Sequence, residues 1–194
     1  VILVGYDLRF SSPQMAKACI AAARHAGMRV ENCGPLPTPA LALRAQTIKS
    51  TAIMVTGSHI PADRNGLKFY RANGEIDKVD EAGISASVDL VNTPKTISDA
   101  NIAVNSNAYD DYLKRCISIL APGALTGLQI GIYQHSSVSR DLMVDLVQKL
   151  GANAVPLGRS EVFVPVDTEA LRPEDVAFAK QACATNVLDA LIST

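Results

Sequence analysis

Apolar and polar positions alternate along this chain in two distinct ways. Short unbroken apolar runs, Val1-Ile2-Leu3-Val4 and Ala52-Ile53-Met54-Val55, have the pattern of strands buried on both faces. Between them, alanine-rich stretches are interleaved with Lys17, Arg24 and His25, the spacing of a helix with one wet face. In order, the pattern predicts a strand at 1–4 and a helix opened by Ser11-Ser12-Pro13 and stopped by Gly27. Ser12 suits the N-cap and Pro13 the first turn, while His25 should face water at the helix end. A short strand at 28–30, a loop at 34–37 and a helix from Thr38-Pro39 to about Ile48 come next. A strand at 51–56 follows, then a polar loop from Gly57 to Gly66. A return strand at 67–71 begins just after the turn pair Asn65-Gly66.

The second half repeats the grammar. It predicts a helix at 109–120, a strand at 128–133, a helix after Ser136-Ser137 that ends at Gly151, and a strand at 154–157. A helix opened by Pro173 and a strand at 187–192 complete it. Ser11-Ser12, Gly27 and Val30 have nearly the spacing of Ser136-Ser137, Gly151 and Val155. Two copies of one α/β unit are therefore expected, over residues 1–104 and 105–194, joined near 103–107. Strands alternating with helices imply mixed, mainly parallel sheets. Ligands of such sheets bind beyond the carboxyl ends of the strands. The loops 6–12, 34–38 and 57–66 all leave that edge, and they hold the unusual chemistry of the chain. Val1 begins in mid-element and the last strand stops at Thr194, so the sequence reads as a piece cut at both ends.

Composition narrows the function classes. Basic and acidic residues are mixed and the net charge is −1, which argues against a nucleic-acid footprint. No apolar run reaches the roughly 18 residues of a membrane span, and no basic leader with a cleavage site precedes the first strand. Cys19, Cys33, Cys116 and Cys183 are too scattered for a metal knuckle or a C-x-x-C motif, so a reducing, cytoplasmic setting is expected.

The densest chemical signal is the stretch from Thr56 to Lys68, which contains Gly57-Ser58-His59-Ile60-Pro61 and Asn65-Gly66-Leu67-Lys68. A hydroxyl stands at a strand end beside an imidazole, and the chain doubles back to bring in an amine. Leu67 and Phe69 should share one face of the return strand and Lys68 the other. A serine needs a nearby base or an electrophilic partner to act as a nucleophile. A lysine serves as acid or base only if burial or a neighbouring cation lowers its pKa, and Arg9 would be such a neighbour.

This stretch resembles the phosphoserine loop of the α-D-phosphohexomutases, the phosphoglucomutase and phosphomannomutase family, written T-A-S-H-N-P with a following N-G-x-K. Gly57 replaces the usual alanine, which should loosen the loop slightly, and Ile60 replaces the usual asparagine. Gly5-Tyr6-Asp7-Leu8-Arg9-Phe10-Ser11-Ser12-Pro13 is similar to the family's G-R-D-x-R-x-S-S/G-P segment, with Tyr6 in place of the first arginine. Gly34-Pro35-Leu36-Pro37-Thr38-Pro39 resembles its G-x-x-x-T-P loop and reads as scaffold. The resemblance implies phosphohexomutase domains 1 and 2. It further implies reversible transfer of phosphate between the 1- and 6-positions of a hexose, through phosphorylated Ser58 and a hexose 1,6-bisphosphate. Lys68 would act as acid or base with His59 assisting, and Arg9 would contact the phosphoryl group. Mg2+ would bind through the Ser58 phosphate, its other ligands lying in a D-G-D-x-D-R loop beyond Thr194, so these residues alone should be inactive. Neither glucose nor mannose is favoured, and oligomeric state is not readable.

Two other classes stay open. A serine hydrolase is disfavoured because G-x-S-x-G is absent around Ser58. A non-catalytic phosphosugar-binding or interaction module would use the same loops for anions alone. Gln134-His135-Ser136-Ser137, at a strand end of the second half, reads as a helix cap.

Overall fold

The computed structural model describes residues 1–57, 60–61, 63–91, 102–166 and 172–193, with the side chain of Asp89 left out. The chain divides into two compact units, Val1–Ser58 with Asn65–Tyr109, and His59–Arg64 with Asp110–Thr194.

In the first unit the apolar runs form β1 (Ile2–Tyr6) and β3 (Thr51–Val55), which pair in parallel from Ile2 beside Thr51 to Tyr6 beside Val55. Helix α1 (Ser12–His25) leads to β2 (Val30–Pro35), which pairs in parallel on the other side of β1. Strand β2 therefore starts later than expected and takes in Gly34 and Pro35, the first half of the stretch expected to be a loop, while Leu36 and Pro37 stay outside it. Its register shifts between Val4 and Gly5, where Cys33 is the extra residue. Gly34 has φ +69 at that irregularity, a conformation glycine adopts without strain. Helix α2 (Thr38–Thr47) leads into β3, and β4 (Leu67–Arg71) returns antiparallel to it, with Lys68 opposite Met54. A two-residue strand β5 (Gly74–Glu75) completes the order β2-β1-β3-β4-β5.

The helices cover opposite faces of this sheet. Val4 and Val55 pack against Ala16, Ile20 and Ala21 of α1, and Ile2 and Ile53 against Ala23 with Phe69 beside them. Gly5, one position along and so on the other face, approaches Leu36 and Leu41, both fully buried. Phe69 thus faces α1 while Lys68 shares the opposite face with Met54, as the alternation predicts.

Helix α3 (Lys78–Ser87), followed by a 3-10 turn at Val88–Leu90, has no counterpart among the sequence expectations. It buries none of its residues and rests on its N-cap. The Asp77 carboxylate accepts from the backbone N–H of Val79 at 2.9 Å and of Asp80 at 3.0 Å, and Asp80 reciprocates onto Asp77 N at 3.1 Å. The backbone N–H of Asp80, with Arg71 nearby, holds the Asp77 carboxyl below its ordinary value of 3.8. A lowered folded-state pKa stabilises above the unfolded value, and the effect is lost as pH falls through the folded one. The protection factors of backbone amides 78–83, taken relative to each amide's intrinsic exchange rate at that pH, should therefore fall as pH drops from about 5 towards 3, and Asp77→Ala should show the low protection at neutral pH. Unchanged protection in both cases would remove the cap as the source of order.

Helix α4 (Asn107–Ile117), whose residues from Asp110 onward belong to the second unit, precedes β6 (Gln129–His135), on which that unit is built. Helix α5 (Arg140–Lys149), β7 (Asn153–Arg159), α6 (Pro173–Asn186) and β8 (Ala190–Ser193) follow. Its sheet is fully parallel in the order β7-β6-β8. Both units thus share one β-α-β-α-β plan with the first strand in the centre, the repeat that the spacing predicts. Ile130 and Ile132 pack against Val147 and Met143 of α5, while the Tyr133 ring lies 4.4 Å from that of Phe178 on α6.

Two details differ from expectation. Val187 does not open β8 but caps α6 in a left-handed conformation, φ 49, with its side chain exposed. Helix α5 starts at Arg140, later than the Ser136-Ser137 pair. Ser136 is buried and its hydroxyl accepts from Val164 N at 2.8 Å, bracing the loop after β7, while Ser137 Oγ accepts from Ser139 N at 3.1 Å. Among the described residues no helix is long and apolar enough to cross a membrane.

Candidate active site

Strands β1, β2 and β3 run in parallel, so their carboxyl ends open on one edge. The first loop from that edge is anchored by Asp7, whose backbone N–H donates to Val55 O at 3.0 Å. Its carboxylate gathers donors from three segments of the chain. Oδ1 accepts from Arg9 N at 3.0 Å, an Asx turn, and from the Ser12 hydroxyl. Oδ2 accepts from Thr56 Oγ1 at 2.9 Å and from Gly57 N at 3.3 Å, both at the end of β3. The Arg9 guanidinium completes the shell with Nε 3.3 Å from Oδ2. A buried carboxylate is tolerable only when so many donors replace its hydration.

Arg9 is itself only 5 % exposed. It lies beside the first turn of α1, where the helix dipole disfavours a cation; the charge of Asp7 offsets this, and an anion brought to the same edge would be favoured. Ser12, expected as an N-cap, makes no capping bond. Ser11 precedes the helix, already in helical conformation, and the Ser12 hydroxyl turns inward to Asp7.

The hairpin return is tied to the same cluster. Asn65 Nδ2 donates to Ser12 Oγ at 2.7 Å and to Ser11 Oγ at 3.0 Å, while its Oδ1 accepts from Gly66 N at 2.9 Å. Thr56 N donates to Gly66 O at 3.1 Å, continuing the β3–β4 ladder to the loop base. Asp7, Thr56 and Asn65 are thus structural members of the site that the sequence reading did not single out. The Asp-x-Arg spacing within the segment Gly5 to Pro13 was the available signal for Asp7; the Asn65 role was hidden behind its value as a turn residue.

Of the sequence-predicted site residues, Arg9 lies in this cluster. Ser58 and His59 lie outside the described residues; Ser58 directly follows Gly57, the last described residue of the strand end. Lys68 is exposed on β4, two residues beyond Gly66, and takes no part in the Asp7 cluster. Among the described residues no group of three or more His, Cys, Asp or Glu is arranged to hold a metal ion.

Gly57 has a packing role that the sequence reading did not foresee. A Cβ built on it would lie 2.2 Å from Arg9 Cζ and 2.3 Å from Nε.

Comparison with known proteins places these features in context. Residues 1–93 match the family described as phosphoglucomutase/phosphomannomutase, alpha/beta/alpha domain I. A phosphomannomutase of Sinorhizobium fredii is 44 % identical over 197 residues, covering all of this chain and 42 % of that protein. A phosphomannomutase of Salmonella muenchen is also 44 % identical over 193 residues, covering all of this chain and 40 % of its own length. The chain therefore spans about two fifths of these relatives. The crystal structure of a phosphoglucomutase/phosphomannomutase family protein from Burkholderia thailandensis superposes with a TM-score of 0.68 at 23 % identity, over 95 % of this chain and 42 % of that one. The likeness in fold extends through both α/β units. With residues 1–93 matching domain I and all of its own length aligning to about two fifths of two phosphomannomutases, the chain belongs to the phosphoglucomutase/phosphomannomutase family.

Proposed function

We propose that this chain carries the phosphoserine of a hexose-phosphate mutase, in which phosphate moves reversibly between C1 and C6 of a hexose. The observation behind the proposal is that Ser58, in a family-type loop, directly follows a strand end fastened to Arg9 through Asp7. In the forward step the sugar hydroxyl forms a bond to phosphorus as the bond from phosphorus to Ser58 Oγ breaks, and the hydroxyl proton passes to Lys68, with His59 assisting. The resulting 1,6-bisphosphate reorients and returns its other phosphoryl group to Ser58. Lys68 then gives the proton back to the sugar oxygen. Phosphoryl transfer depends chiefly on positioning and charge stabilisation. A phosphoserine brings roughly −1.5 to −2 charges, which the Arg9 guanidinium is suited to meet because its planar fork matches phosphate oxygens. A divalent cation such as Mg2+ on the Ser58 phosphate belongs to the proposal, its other ligands supplied from outside these 194 residues. The setting is cytoplasmic, with a hexose phosphate as substrate and neither nucleic acid nor membrane as partner.

The test is a coupled assay of the full natural chain with glucose 1-phosphate and mannose 1-phosphate, with and without the matching 1,6-bisphosphate. Turnover that is stimulated by the bisphosphate is expected with at least one sugar. Saturable binding of both sugar phosphates without turnover would replace this reading by a phosphosugar-binding module. The 194-residue chain alone should bind weakly and not turn over.

A further inference from the structure

The polar loop that follows β3 departs at Gly57 and returns at Asn65, and both of these residues belong to the first unit. Its two ends are tied to the same short segment, the connection from β1 to α1. At the departing end Thr56 Oγ1 and Gly57 N donate to Asp7 Oδ2 at 2.9 and 3.3 Å. At the returning end Asn65 Nδ2 donates to Ser12 Oγ at 2.7 Å and to Ser11 Oγ at 3.0 Å. The directions of these bonds are set by the partners. Ser12 gives its single hydroxyl proton to Asp7 Oδ1, so it meets residue 65 only as an acceptor. The amide supplies the donor: Nδ2 has one proton for each hydroxyl, while Oδ1 accepts from Gly66 N at 2.9 Å. Ser12 is wholly buried and Ser11 and Asn65 are half-buried, so leaving these groups unmet is costly.

We propose that Asn65 is a positioning residue: its amide clamps the returning end of the loop that carries Ser58 to the start of α1, on the segment that also holds Arg9. The clamp rests on the proposed mutase function for its catalytic consequence, but not for its geometry. With one end tied to Asp7 and the other to Ser11 and Ser12, neither end of the loop shifts relative to the guanidinium. Removing the amide leaves the returning end to the ladder between β3 and β4, whose last pair is Val55 with Leu67. The bond from Thr56 N to Gly66 O at 3.1 Å lies beyond that pair and loses its support. A phosphoryl group on Ser58 then loses its fixed distance from Arg9. Two hydroxyls share the clamp, so replacing Ser12 alone keeps the tie to Ser11.

A mutant cycle on the full natural chain tests the clamp, with Asn65→Ala, the pair Ser11→Ala and Ser12→Ala, and all three together, assayed with a hexose 1-phosphate. Asn65→Ala should lower kcat by roughly 10- to 100-fold, the scale of a reacting group misplaced by about 1 Å, while KM changes less than about threefold. In the background that lacks both hydroxyls the same change should cost less than about twofold, because no tie remains to be cut. An equal loss in both backgrounds would assign the effect to the turn bond with Gly66, and a loss confined to KM would assign it to substrate binding; either overturns the proposal. Hydrogen exchange at the Thr56 amide gives a second measure that needs no turnover. Its protection should fall by about tenfold or more in Asn65→Ala, and unchanged protection overturns the clamp. Absence of turnover in the natural protein would defeat the proposed function, and the exchange result would still decide the clamp.

Discussion

Asp7→Ala is expected to destabilise the first unit by about 3–5 kcal/mol, the scale of removing one partner from a buried ion pair. Arg9 and Asp7 have side chains only 6 % and 15 % exposed. Truncating Asp7 leaves a buried guanidinium without its countercharge. It also removes the acceptor for Ser12, Thr56, Gly57 N and Arg9 N together. Urea unfolding followed by circular dichroism measures the effect, and Asp7→Asn should recover part of it by keeping shape and one acceptor oxygen. A loss below about 1 kcal/mol would return Asp7 to the class of ordinary surface pairs.

The second large effect concerns chemistry. Ser58→Ala in the full natural chain should reduce mutase turnover by roughly a thousandfold or more, since in the proposed cycle the covalent intermediate forms on Ser58. Intact-mass analysis of the protein as purified should show a fraction heavier by one phosphoryl group, absent from Ser58→Ala. Melting temperature should barely change, because the substitution removes a single oxygen. A Ser58→Ala protein that keeps normal turnover would end the phosphoserine reading whatever its mass spectrum.

Strands β1 and β3 were legible because unbroken apolar runs have few alternatives, and the return strand because Asn65-Gly66 announces a reversal. The alternation that separates Lys68 from Phe69 also carried through. Helix α3 was missed for the opposite reason: it buries nothing, so it has no apolar stripe. Its only local signal is a carboxylate three positions before another, Asp77 and Asp80. Glycine misled at β2, where Gly34 marks a bulge inside a strand and not its end. Hydrophobicity misled at Val187, which is exposed at a helix end. The hub of the site was partly hidden because the worth of Asp7 comes from Thr56 and Gly57, some fifty positions away. Only folding brings such donors to one carboxylate. Residue 57 carried a comparable ambiguity, since sequence alone cannot say whether a glycine is there for motion or for room.

The tie from Asn65 to Ser11 and Ser12 has a consequence for biosynthesis. A nascent chain that has emerged only as far as β3 already holds three parallel strands and both covering helices. It still lacks the amide that fastens the beginning of α1 and the β4 strand that shields the exposed side of β3. At about 5–20 residues per second, the ribosome needs about one to three seconds to supply them. During that interval β3 is an unprotected edge, open to pairing with other newly made chains.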